Sequence, residues 1–107
     1  MRNYMVLFLL VIFNTSIFAQ KELVEKANVI TNKMTKALNL NEKQRSKVFD
    51  IQLKRFKEVD SIQGKYEKGS EIRKAELKKV YNKLYGKLKG NLGEEKMKLW
   101  NQYKRNN

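Results

Sequence analysis

Apolar residues follow two patterns along this 107-residue chain. Met5 to Phe13 is an unbroken run of nine, and from Leu23 onward apolar positions recur at steps of three and four, the signature of amphipathic helices. Leu23, Ala27, Ile30, Met34 and Ala37 form a first stripe, widened by Val24 and Leu38. Asn39-Leu40-Asn41 interrupts it. Asn41 is a favourable N-cap, and Gln44 stands three residues later, where its side chain reaches back to the cap N–H as in a capping box.

A second helix is predicted from Glu42 to the region of Gly64 or Lys68. It carries Val48, Ile51, Val59, Ile62 and Tyr66 on one arc and Phe49, Leu53 and Phe56 on its flank. So wide an arc touches more than one neighbour, and the flank reads as a core or dimer face. Gly64 lies inside the periodic stretch at a cost of about 1 kcal/mol relative to alanine. Gly69-Ser70 reads as the turn, with Ser70 capping a third helix through Leu77, Val80, Leu84 and Leu88. That helix is expected to stop at Gly90-Asn91, and a last one from Glu94 carries Met97, Trp100 and Tyr103 on one side. With no proline and only five glycines, the expected class is all-α, a small four-helix chain built around a long bent helical hairpin.

The leading apolar run reads as an export signal. Arg2 gives it a positive start, Asn14-Thr15-Ser16 ends it, and Ala19 is the small residue required before a signal peptidase cut. Residues 1–19 are therefore expected to be removed, leaving 20–107 as a single all-helical domain that begins at Gln20. Retention as an anchor is disfavoured, because a spanning helix needs about 20 apolar residues. No cysteine follows the run, which excludes lipid anchoring through one.

Charge narrows the partners. Lys and Arg total 24 against 11 Asp and Glu, a formal net charge of +13, of which the leader supplies only Arg2. A small basic body is steered toward acidic partners. It also lacks disulfides, so its stability has to come from helix packing, extended across a subunit interface in a homodimer.

Two helix starts resemble each other at a spacing of 52 residues. Leu40-Asn41-Glu42-Lys43-Gln44, followed by Val48, aligns with Leu92-Gly93-Glu94-Glu95-Lys96 and Trp100. In both, a leucine precedes the capping position, acid falls in the first turn where the helix dipole favours it, and a large apolar residue follows. The pair resembles the two L-T-x-x-Q motifs of the Spy/CpxP-type periplasmic proteins. Asn41 replaces threonine in the first copy, and the second keeps Leu92 but has Gly93 and Lys96 in place of threonine and glutamine. The resemblance implies a periplasmic location, a thin curved cradle formed by two copies, and a part in the envelope stress response. Some members of that family are ATP-independent chaperones; others modulate a sensor kinase or respond to metals.

Histidine and cysteine are both absent, which removes the usual zinc and copper ligands and the His base or Cys nucleophile of many hydrolases. The carboxylates Asp50, Glu58, Asp60 and Glu67 lie among lysines as solvated helix-face pairs, and the glycines form no phosphate loop. No enzymatic activity, metal or cofactor is expected. The remaining candidate is a surface. Lys74, Lys78, Tyr81, Tyr85 and Lys89 fall within about 80° of one another on a helix, and Arg55 sits inside the apolar arc of the second helix. Either the tyrosines complete a core whose rim the lysine stems cover, or these residues bind something. A cationic, aromatic surface suits loose capture of unfolded or acidic protein segments.

The leading expectation is an exported, non-enzymatic, holdase-like chaperone or envelope-stress modulator. A regulatory partner of a membrane sensor or transport system is the alternative, and a basic protein of anionic lipid surfaces is the third. Nucleic-acid binding fits the same chemistry, but export argues against it.

Overall fold

The computed structural model describes residues 2–107, with side chains from residue 17 onward. The side chains of the apolar run Met5–Phe13, read above as an export signal, lie outside the described residues. Four helices and no strand occur among the described residues: α1 (Arg2–Leu38), α2 (Glu42–Lys65), α3 (Glu71–Leu92) and α4 (Glu94–Asn106). None of them is long and apolar enough, within the described residues, to cross a membrane.

Short local signals set each boundary. Asn39 takes a left-handed φ of 52°, and the Leu40 N–H donates to the Thr35 carbonyl at 3.1 Å, closing α1 in a Schellman turn. Asparagine tolerates this conformation because its short polar side chain bonds locally. One residue on, Asn41 accepts from the Gln44 N–H at 2.8 Å, while Gln44 accepts from the Asn41 N–H at 3.1 Å. This reciprocal box satisfies two of the orphan donors of α2. Asn41→Ala should therefore destabilise by about 1 kcal/mol. A thermal melt reads the effect, and an unchanged midpoint would remove the box as the determinant of this junction.

Gly69, at a φ of 82°, makes the turn after α2. Ser70 then caps α3 by accepting from the Arg73 N–H at 3.3 Å. Gly64 is accommodated inside α2. The third boundary differs from the sequence expectation: α3 runs through Gly90-Asn91 and ends at Leu92. The cause is packing, since Leu92 lies one turn beyond Leu88 and both are buried; stopping at Gly90 would forfeit that burial. Gly93 alone separates α3 from α4. Its φ of 88° and ψ of 166° reverse the chain, and no side chain caps α4.

Each helix packs against two others, α1 on α2, α2 on α3, α3 on α4 and α4 on α1, so the four form a ring. The core gathers at one pole, where α1 and α3 end and α2 and α4 begin. Met34, Leu38 and Leu40 meet Val48, Leu88, Leu92, Met97 and Trp100 there. Each such side chain contributes about 1.5–3 kcal/mol by leaving water. Leu40 and Leu92, the leucines of the two similar junctions, both belong to this cluster. Lys96, at the position matching Gln44, donates instead to the Leu38 carbonyl at 3.0 Å and so ties the start of α4 to the end of α1. On α1 the buried line is Leu23, Ala27, Thr31, Met34 and Leu38, with Ile30 and Ala37 half-buried beside it. Phe49, Leu53 and Phe56 are half-buried within the single chain.

Candidate functional site

Because α4 spans 13 residues against 24 in α2 and 22 in α3, the ring loses its fourth wall partway along. The bundle interior opens there as a cleft of about 250 Å³. Its floor comes from α2. Val48, Gln52 and Arg55 follow one another at steps of four and three, so the stripe that builds the core continues inward as two polar residues. Gln52 is buried, donating to the Met34 sulfur at 3.5 Å and accepting from Arg55 Nη1 at 3.2 Å.

Arg55 is held by aromatic faces. Its guanidinium carbon lies 4.2 Å from the centroid of the Phe56 ring and 5.7 Å from that of Tyr81, an arrangement suited to its planar, weakly hydrated cation. Its Nε is buried with no hydrogen-bond partner among the described residues. No carboxylate lies within ion-pair distance of Arg55 among the described residues. A buried donor left unmade costs about 1–3 kcal/mol, which the stacking of the guanidinium on Phe56 and Tyr81 offsets in part.

The walls are mostly apolar. Leu84 and Leu88 of α3, Met97 and Trp100 of α4 and Ile30 of α1 enclose the space, with Tyr81 and Tyr85 at its edge. Those two tyrosines are 48% and 46% exposed, which makes them rim groups as much as wall. Trp100 is buried and stacked on Tyr103 with ring centroids 5.4 Å apart. Lys104, one turn further along α4, completes the mouth with its ammonium 5.8 Å from the Trp100 ring.

Of the six residues singled out from the sequence, Arg55, Tyr81 and Tyr85 meet in this cleft. Lys74, Lys78 and Lys89 do not line it and lie exposed elsewhere along α3. Lys74 is 3.6 Å from Glu71 and Lys89 is 3.1 Å from Glu94, so two of the three are already engaged. Hydrogen bonding to Glu94, followed by its charge, holds the Lys89 ammonium above its ordinary value of 10.5. The lysine's part of that link is in place below pH 10.5 and is lost as pH rises through the higher folded value. Gln52 and Lys104 are the cleft residues that sequence patterning passed over. Their signals were spacing alone: Gln52 four residues after Val48, and Lys104 four after Trp100.

Residues 18–106 match a family described as a domain of unknown function, DUF4890. The chain belongs to that family. No curated protein and no solved structure matches it. The DUF4890 span contains every residue of the cleft and leaves the apolar run Met5–Phe13 outside. Among the described residues no cluster of carboxylates stands in a metal-binding arrangement.

Proposed function

We propose that this protein is an exported, periplasmic binding protein of the Spy/CpxP type that holds acidic, partly unfolded protein segments without ATP. The observation that carries the proposal is the cleft at the mouth of the bundle. Arg55, which has no carboxylate partner among the described residues, lies beside half-exposed tyrosines on a strongly basic body. Charge complementarity speeds encounter with acidic chains, and accessible aromatic faces retain them without demanding one geometry. The leader supports export, and the family span begins at residue 18, beyond the apolar run. The absence of histidine and cysteine supports a non-enzymatic role.

The test is suppression of aggregation of a reduced, acidic client at low salt by the purified protein and by a Tyr81→Ser, Tyr85→Ser variant. Both side chains are about half exposed, so the substitutions leave helicity near its starting value. The variant should require several-fold more protein for equal suppression. Equal potency would remove the cleft as the client surface. Saturable binding to a single folded partner, with no general suppression, would make the protein a regulatory partner of a sensor or transport system instead.

A further inference from the structure

The cleft is graded from floor to mouth, and the gradient says what it takes. We infer that it is a socket for one aromatic side chain of an internal, extended client segment, with an acidic residue two positions away held by Lys104 at the mouth. This deepens the client-binding reading above and rests on it for the class of partner.

The floor asks for no charge. Arg55 adds to the field that draws acidic chains toward the mouth, while its contacts point into the fold: Nη1 donates to Gln52 at 3.2 Å, Nε is buried, and the guanidinium packs against the Phe56 and Tyr81 rings. A carboxylate carried to the bottom would lose its hydration and gain little in exchange. Above the floor the lining is Leu84, Leu88, Met97 and Trp100, so an uncharged occupant is favoured by the area it removes from water. The indole of Trp100 and the thioether of Met97 both favour an aromatic ring over an aliphatic chain.

Volume sets how much enters. About 250 Å³ falls below the ~300–1,000 Å³ typical of sites for whole small molecules and matches roughly eight waters at ~30 Å³ each, the space of one large side chain. The backbone on both sides of that residue stays at the open mouth, so the segment continues in both directions and its acids remain in water. Lys104 is exposed there and has no carboxylate within ion-pair distance among the described residues. Its ammonium is 5.8 Å from the Trp100 ring, close to the ~6–7 Å that separates alternate side chains on one face of an extended chain. A carboxylate two positions from a ring packed on Trp100 therefore falls within reach of Lys104.

Trp100 is the only tryptophan in the chain and lines the cleft, so its fluorescence reports occupancy. The experiment titrates the purified protein with the peptide Gly-Glu-Ser-Phe-Ser-Glu-Gly, acetylated and amidated so that neither end is charged. One copy carries alanine for phenylalanine, and another carries glutamine for both glutamates. Loss of the ring should weaken binding at least about tenfold. Loss of the carboxylates should weaken it about two- to fivefold at low salt, the range of an exposed ion pair, and hardly at all at high salt. Lys104→Gln should abolish the glutamate preference and keep the ring preference. Leu84→Phe fills the socket from a half-buried wall position and should weaken the phenylalanine peptide at least about tenfold. Circular dichroism and melting temperature monitor folding in both variants, and the peptide comparison on the unmodified protein decides whether or not Leu84→Phe folds. Equal binding of the phenylalanine and alanine peptides, no saturation up to millimolar peptide, or unchanged affinity in a folded Leu84→Phe would overturn the inference. A glutamate preference that survives Lys104→Gln would overturn the role of Lys104. Decanoate binding more tightly than the peptide would make the cleft a lipid site instead. Should the protein suppress aggregation but fail to distinguish phenylalanine from alanine, the socket falls and client binding stands. Preference for the ring with no suppression gives the reverse.

Discussion

Trp100→Ala should lower stability by about 3–5 kcal/mol, the usual cost of emptying a large aromatic site in a packed core. Trp100 is 4% exposed, belongs to the central cluster and stacks on Tyr103, so its removal leaves a cavity next to the existing cleft. The two voids would then merge and admit water to Arg55 and Gln52. Small domains hold about 5–15 kcal/mol in total, so this one change removes a large share. Urea unfolding followed by circular dichroism measures it. Leu99→Ala is the matched control, because its neighbouring side chain is 51% exposed and should change stability by no more than about 0.5 kcal/mol. Similar losses in both variants would mean that α4 does not close the core.

Gly93→Ala is expected to cost on the order of 1–3 kcal/mol, the penalty for an L-residue in a region essentially reserved for glycine. A Cβ at this position would meet nothing within 4 Å, so the whole cost arises from the φ of 88° and ψ of 166°. Each kcal/mol moves the melting midpoint of a domain this size by about 4–8 °C. Gly93→Ser should fare no better. A serine would offer a side-chain cap, but the backbone lies outside the conformation a capping serine adopts. Asn39 provides the contrast, since its φ of 52° is in the left-handed region and Asn39→Gly should be close to neutral. An unchanged midpoint for Gly93→Ala would show that the α3–α4 joint relaxes to another path.

Much of the architecture was legible because local rules decide it. The capping box at Asn41 and Gln44, the cap at Ser70 and the stripe Met97–Trp100–Tyr103 depend on residues within a turn or two of one another. The all-α class followed from periodicity and from the lack of proline. The end of α3 was misplaced for the opposite reason: Gly90-Asn91 is a good local stop, overridden by the burial of Leu92 against distant helices. The role of Gly93 was hidden because a glycine at a helix start reads as a weak cap, whereas its sign of φ is set by how α3 and α4 meet.

The candidate site was half visible. Arg55 drew attention as a charge on an apolar arc, and the two tyrosines followed from helical spacing. Gln52 reads as an ordinary exposed polar residue until α1 brings Met34 against it. Lys104 becomes relevant only through the length of α4, which determines where the bundle opens. Lys74 and Lys89 share a helical face with the tyrosines, but Glu71 stands on that face one turn before Lys74 and Glu94 follows Lys89 at the start of α4, and pairing claims both lysines.

The bond from Lys96 to the Leu38 carbonyl joins positions 58 residues apart, and it bears on the order in which the molecule assembles. Contacts between remote parts of a chain form only after the intervening segment has been brought into place. Met97 and Trp100 enter the core on the same short helix, so a polypeptide emerging from its N-terminus has no closed interior until the 13 residues of α4 arrive. Hydrophobic faces of α1, α2 and α3 stay accessible throughout that interval. A chain built this way closes its core only when α4 docks against α1 and α3.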